Sequence, residues 1–483
     1  MVRTMNKYKK LAFNTVVFAI GSFGSKILVL LLTRLYTKYI NYADMSTKDL
    51  LEIMALFLQP IFTFALQEYL IRFGLDKKYD KKAVFTTSAI ITAIGMAAVV
   101  LIVPGLRFIH YLDFISGYSM LLIIYICTSS LRMLCTNFVR ARDMVKLFSL
   151  DGILATLTLF IFNLIFIAGL KMGVKGFMIS VILSDLCSSV FLIVAANLRK
   201  FFSFRYFSSS LAKEMMIFSL PLIPTIVMWT ITGLSDRLFI RYMHSSRAEL
   251  GADAAGIYSV ANRIPNLISM VSTIFFQAWN MSAITENDSA DRSKFYEKVY
   301  SAYEAILFIA GAGLLLFIKP VSSFLANSDN YEAYGSIYIY APILIAAVIF
   351  TSLNQFMGSI YSATKHTLNS FLTSLTACVI NLAMNFFLIP EWGIQGAAIA
   401  TFLSYYFCFW LRMVDARYYV PFRFNAPRSL ISTILLFVMC GIIIKAPSLW
   451  GVWLFAVCAA IIFINVKPMM TTVRKVLGGR GKA

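Results

Sequence analysis

From Leu11 almost to the C-terminus the chain alternates long apolar runs with short polar breaks. Runs at 11–36, 50–73, 83–104, 117–139, 147–169 and 176–198 form one set of six. A polar stretch, Arg199 to Glu214, precedes a second set at 216–241, 255–283, 300–318, 337–361, 368–389 and 393–414. Two last runs lie at 429–444 and 449–466. A helix crosses a ~30 Å hydrocarbon core with roughly 20 apolar residues, so the pattern predicts an all-α, polytopic membrane protein of about fourteen transmembrane helices. It predicts four parts: a six-helix lobe over 1–198, a cytoplasmic linker at 199–215, a second six-helix lobe over 216–414, and helices 13 and 14 with a basic tail over 415–483.

Composition agrees. Of 483 residues, 59% are hydrophobic and 14% charged, and the mean hydropathy is +0.77, which excludes a soluble enzyme of this length. The formal net charge of +20 would point to nucleic acid in a soluble protein, but topology accounts for it here. With the N-terminus inside, alternate segments gather 28 basic residues on the inner side against 8 on the outer. Both termini are therefore expected in the cytoplasm. The basic N-terminus leads into the first run without an A-x-A-like cleavage site, so that run is expected to be a membrane helix. The tail from Lys467 to Lys482 reads as a lipid-surface segment.

The two sets of six look like copies. Thr33-Arg34-Leu35-Tyr36-Thr37-Lys38-Tyr39 matches Asp236-Arg237-Leu238-Phe239-Ile240-Arg241-Tyr242, each ending the first helix of its set. Asn163-Leu164 followed by Gly173-Val174-Lys175-Gly176 matches Asn381-Leu382 followed by Gly393-Ile394-Gln395-Gly396. Corresponding positions share one orientation, which makes this a parallel repeat about an axis along the membrane normal.

Ionisable residues inside spans cost roughly 2.5–3.5 kcal/mol each on insertion scales and therefore face protein or a water-filled cavity. Lys26, Asp185 and Arg263 lie deep in their runs; Glu68, Arg132 and Asp151 lie in the inner half; Arg34 and Asp236-Arg237 lie near the outer surface. One reading is a cationic cavity built from Lys26, Arg34, Arg237 and Arg263. The other has Arg34, Arg237 and Arg241 snorkelling or pairing with Asp236, and Arg72 anchoring at the inner surface. Glu68, Asp185 and Asp236 are candidate counter-ions or coupling carboxylates. Pro60, Pro221, Pro224, Pro265 and Pro342 are candidate kinks. The seven cysteines sit in apolar runs, the three histidines are isolated, and no nucleotide-binding loop occurs, so no metal, cofactor or direct ATP use is expected.

Ser219-Leu220-Pro221-Leu222-Ile223-Pro224, Trp229, Ser235-Asp236-Arg237, Ala255-Gly256-Ile257-Tyr258-Ser259-Val260-Ala261-Asn262-Arg263-Ile264 and Phe276-Gln277-Ala278-Trp279 closely resemble the polysaccharide flippase family. Gly393-Ile394-Gln395-Gly396-Ala397-Ala398-Ile399-Ala400 is similar to its helix 12 entry. The family belongs to the multidrug, oligosaccharidyl-lipid and polysaccharide exporter superfamily. The resemblance implies a non-enzymatic transporter in a bacterial inner membrane. It would flip undecaprenyl-pyrophosphate-linked oligosaccharide to the outer leaflet by alternating access of two lobes, with Lys26, Arg34, Arg237 and Arg263 holding the anion. Expected partners are membrane lipids, a polysaccharide polymerase and glycosyltransferases, with no nucleic acid. The alternatives are a multidrug cation exporter of the same superfamily and a membrane-embedded glycan polymerase or ligase. No extramembrane segment greatly exceeds about 20 residues, which weighs against the latter.

Reporter fusions after Lys82 and Lys213 are expected to read cytoplasmic, and one near Asn327 to read outside; the reverse pattern would overturn the topology.

Overall fold

The computed structural model describes residues 28–76, 78–106, 108–285, 292–326, 336–364, 366–446 and 448–477, with no strand among them. They form two compact units. The first holds 28–244 and 250–256, the second 245–249 and 257–477. The first therefore takes in the described part of the first apolar run and the second to seventh runs, and the chain passes between units within one helix.

In the first unit, α1 (28–39) is followed by α2 (Tyr42–Phe62), α3 (Leu66–Leu75), α4 (Lys81–Leu106), α5 (Ser119–Ala141), α6 (Val145–Asn163), α7 (Gly173–Ala195), α8 (Ser209–Ser219) and α9 (Ile223–Tyr242). The second follows with α10 (Ala252–Ala261, begun in the first), α11 (Asn266–Thr285), α12 (Arg292–Leu316), α13 (Ile318–Leu325), α14 (Ile337–Thr364), α15 (Thr367–Tyr419), α16 (Ala426–Lys445) and α17 (Trp450–Leu477). Over the described residues the apolar runs map onto helix. α15 contains the eleventh and twelfth, divided at Gly393, whose φ is 56°. Burial separates helices that hydropathy alone cannot: the apolar window of α14 is 72% buried and that of α6 with its C-terminal extension only 17%. The first is a central helix; the second faces lipid on most sides.

Three boundaries depart from the apolar pattern for physical reasons. Helix α2 begins at Tyr42 rather than near residue 50, because Asn41 caps it, its side chain accepting from the Asp44 amide at 2.8 Å. Its first turns carry Asp44, Lys48 and Asp49, which read as loop until their partners are known. The expected linker at 199–215 is packed, not free: Leu211, Ala212 and Met215 of α8 join Leu66, Phe85 and Phe138 in one core. Thr86 Oγ1 also donates to the Phe201 carbonyl at 3.0 Å. Tyr79 donates its hydroxyl to Glu214 of α8 at 2.7 Å, and this bond raises the phenol above its ordinary value. The prolines mostly mark breaks. Pro221 and Pro224 stand in the first turns of the 3₁₀ segment Leu220–Leu222 and of α9, Pro265 lies in the turn between α10 and α11, and Pro342 is inside α14.

Pro60 precedes the sharpest break. Helices α2 and α3 meet at a 50° bend, where Phe64 and Ala65 take φ of 52° and 51°. Thr63 donates its amide to the Gln59 carbonyl at 2.9 Å, and Ala65 to that of Pro60 at 2.8 Å, so the interrupted ladder keeps its partners. Helix α4 crosses the bend at Gly95, where an added Cβ would stand 1.8 Å from the Phe62 carbonyl oxygen.

The internal repeat is legible in the backbone. Gly173 and Gly393 have φ of 55° and 56°, a conformation that costs glycine little. Three residues on, Cβ atoms at Gly176 and Gly396 would come 3.0 Å and 2.2 Å from the carbonyl oxygens of Phe166 and Leu388. The same turn is thus used to enter α7 and the second half of α15.

Gly95→Ala is expected to cost about 1–3 kcal/mol through overpacking, lowering the thermal midpoint of the detergent-solubilised protein. Gly105→Ala, where nothing lies within 4 Å, should leave it unchanged; equal behaviour of the two would refute the tight crossing.

Candidate functional site

Two polar clusters occupy the first unit. In one, Arg132 on α5 is shared between carboxylates on the next two helices. Its Nη1 donates to Asp185 Oδ1 at 3.1 Å, and its Nη2 lies 3.9 Å from Asp151 Oδ2. Its Nε donates to Ser188 Oγ at 3.1 Å. The hydroxyls of Ser129 and Ser188 donate to Asp185 and Asp151 respectively. Both acids are buried, whereas the Arg132 side chain is 32% exposed, opening on a cavity of ≈ 270 Å³. Gln59, Ser129, Asn137 and Asp185 line it with Arg132. A second hollow of ≈ 230 Å³ shares Gln59 and Met133 with it and reaches the helix bend at Thr63 and Ala65. One base between two acids leaves a formal charge of −1 unless a carboxyl holds a proton.

The other cluster joins α9 to α2. Arg237 donates through Nε and Nη2 to Asp49 Oδ2, each at 3.2 Å, and through Nη1 to the Gly233 carbonyl at 2.7 Å. One turn later Arg241 Nη1 donates to Ser46 Oγ at 3.2 Å and Thr47 Oγ1 at 3.0 Å. Lys48, with its side chain only 1% exposed, donates to Glu52 at 2.8 Å and stands 3.6 Å from Asp49. Its Nζ also lies over the rings of Phe177 and Tyr36, at 4.2 Å and 4.9 Å from their centroids. Burial raises the cost of every unpaired charge, and the pairs and the ring faces together offset that cost among apolar helices.

Of the residues expected to form a cationic cavity, Lys26 lies outside the described residues. Arg34 is exposed on α1, and Arg263 is half-buried in the turn between α10 and α11 of the second unit. Arg237 is largely buried in its Asp49 pair. Of the three expected carboxylates, Glu68 is half-buried and accepts from Gln67 Nε2 at 3.0 Å, Asp236 is buried on α9, and Asp185 lines the cavity with Arg132 as its base. Sequence reasoning missed Asp49 and Lys48, because an apolar-run search discards a charged helix start. It also counted Arg412 among the inner-loop bases. Arg412 is 3% exposed and donates to the carbonyls of Asn354 and Ser370 and the hydroxyls of Thr373 and Ser374, at 2.8–3.1 Å. Polar residues at 370, 373 and 374 with helical spacing were the available signal.

The profile of a family described as "Polysaccharide biosynthesis protein" matches residues 50–331, more than half of the chain. The chain belongs to this family. A curated relative, the uncharacterized membrane protein YabM of Bacillus subtilis (strain 168), is 22% identical over 205 residues, 41% of this chain; the match spans 37% of that protein's length. Among solved structures, the inward closed conformation of the lipid II flippase MurJ aligns at a TM-score of 0.64 and 16% identity, covering 96% of this chain and 99% of that one. The inward-facing conformation of a multidrug resistance MATE family transporter of the MOP superfamily aligns at 0.65 and 12%, covering 86% and 99%. A MOP superfamily transporter from Pyrococcus furiosus aligns at 0.58 and 14%, covering 86% and 97%. This member of the polysaccharide biosynthesis protein family is a multi-pass membrane protein whose fold is similar to that of the solved MOP superfamily transporters.

Arg132→Ala strands two buried acids and is expected to cost about 1–3 kcal/mol, less than a fully buried pair because the guanidinium is partly open. Adding Asp185→Asn should restore part of that loss. Thermal unfolding of the solubilised variants measures it, and a double variant no more stable than the single would show that the pair is not coupled.

Proposed function

We propose that the protein moves a polyprenyl-pyrophosphate-linked oligosaccharide from the cytoplasmic to the outer leaflet of a bacterial inner membrane, by alternating access and without enzymatic chemistry. The observation that carries the reading is the Arg237–Asp49 pair inside the spans of a polysaccharide biosynthesis protein. Likeness in fold to a lipid II flippase supports it. A diphosphate cannot enter hydrocarbon without a basic path, while its polyprenyl tail stays in lipid. An arginine already held by a carboxylate is suited to that task, because a diphosphate of higher charge competes with Asp49 for the same donors. Arg34, Arg263 and Lys26 are the further bases we propose for the same role.

Outward movement of negative charge is favoured by an inside-negative potential, by ~2.3 kcal/mol per charge per 100 mV, so net export can proceed without ATP. Asp185 is the coupling carboxylate we favour over Glu68 and Asp236. It lines a cavity and shares Arg132 with a second acid, so one proton taken up there would neutralise the cluster. A polysaccharide polymerase and glycosyltransferases are the partners this role requires.

Arg237→Gln is expected to abolish most surface-polysaccharide export in a complemented deletion strain, with membrane protein levels unchanged. Asp49→Asn/Arg237→Gln, which restores a neutral hydrogen-bonding pair, should remain defective. Recovery in the double variant would reduce Arg237 to a helix fastener and sink the binding role. Failure of the deletion strain to accumulate lipid-linked oligosaccharide in its cytoplasmic leaflet would favour a drug exporter instead.

A further inference from the structure

A cavity of ≈ 710 Å³ lies wholly in the second unit, among α12, α16, α17 and the segment before α16. That volume is within the ~300–1,000 Å³ typical of small-molecule sites. Its lining holds four bases, Lys298, Arg423, Arg428 and Lys467, against one acid, Glu297. None of these belongs to the clusters already described, and each lies at the end of the unit that the inner-base count assigns to the cytoplasm.

The bases are held by construction. Residues 421–425 are neither helix nor strand, and within them Phe422 is buried while Arg423 is exposed. Phe422 packs on Tyr300 with ring centroids 5.6 Å apart, and Phe424 contacts Tyr300, Phe409 and Trp410 at 5.8, 6.1 and 5.6 Å. Arg423, between them, is exposed at the cavity, and its amide donates to Glu297 at 3.4 Å. Arg428 is fixed from below. Its Nη1 donates to Ser301 Oγ at 2.8 Å and its Nη2 to Glu304, while its Nε is buried without a hydrogen-bond partner. The Arg428 side chain is 9% exposed. The cavity also lies at the N-terminus of the 20-residue α16, whose dipole favours an anion there.

The wall says which anion. Ile464 lines the cavity on α17, and its neighbours Ile462 and Phe463 are 40% and 81% exposed, which on a membrane span means facing acyl chains. Lys467, one turn on, marks the level of the headgroups. A basic pocket at that level, bordered by a lipid-facing apolar strip, fits a phosphate that carries acyl chains. We infer that this cavity holds the phosphate headgroup of an anionic lipid of the cytoplasmic leaflet, at a site separate from the Arg237–Asp49 and Arg132 clusters. The inference does not rest on the transport reading.

The test is native mass spectrometry of the full-length protein in mild detergent, titrated with phosphatidylglycerol. Wild type should retain the lipid, and Arg423→Gln/Lys467→Gln, which alters two exposed bases, should bind it at least tenfold more weakly, at about fivefold per base near a membrane surface. Arg428→Gln should do the same if it folds; the exposed pair decides the matter if it does not. Inorganic pyrophosphate at millimolar concentration should compete only weakly with the lipid. Equal lipid retention by wild type and the double variant overturns the site, and tight binding of pyrophosphate without retained lipid overturns its assignment to a lipid.

Discussion

An arginine placed among apolar helices must bring its own counter-charges, and Arg132 shows how much structure follows from that requirement. Its guanidinium draws one carboxylate from α6 and another from α7 to a point on α5, and a serine donates to each carboxylate. Three otherwise featureless greasy helices are thereby given a register. Hydrophobicity cannot supply it, since lipid tails are as apolar as the helices themselves. The cavity exists because this polar knot keeps the helices from closing on one another there.

In the second unit Arg428 is likewise held by Glu304, but Arg412 is accommodated with neutral dipoles around it. Arg412 is surrounded by carbonyls and hydroxyls of α14 and α15. Its Nη1 sits 3.1 Å from where a Cβ would stand at Gly358. A cation stabilised by neutral dipoles is less sensitive to protonation of a neighbour than one stabilised by carboxylates. The repeat in the backbone is clear at Gly173 and Gly393, and both units pair arginines with buried carboxylates, Arg132 with Asp151 and Asp185 and Arg428 with Glu304.

Much of this was legible beforehand. The all-helical class, helix order and repeat were written in the spacing of apolar runs, because a bilayer imposes one length on every span and leaves little room for tertiary override. The family resemblance carried by Ser219–Pro224 and the stretch around Arg263 pointed to the family that the profile match establishes. What the pattern hid was pairing. Asp49 and Lys48 sit in a charged helix start, and only the approach of α9 turns that start into an interior. Arg428 and Glu304 are 124 residues apart, beyond any local periodicity. Side-chain partners across the chain are set by packing, which a one-dimensional pattern does not encode.

The bend between α2 and α3 has a consequence for energy as well as for shape. Phe64 and Ala65 carry left-handed backbone angles that cost L-residues roughly 1–2 kcal/mol each, and neither is a glycine. The angle is maintained against a local preference for a straight rod, by Gly95 of α4 fitting over the Phe62 carbonyl. The bend therefore depends on the absence of a methyl group at Gly95, since a side chain there would meet the Phe62 carbonyl of the neighbouring helix.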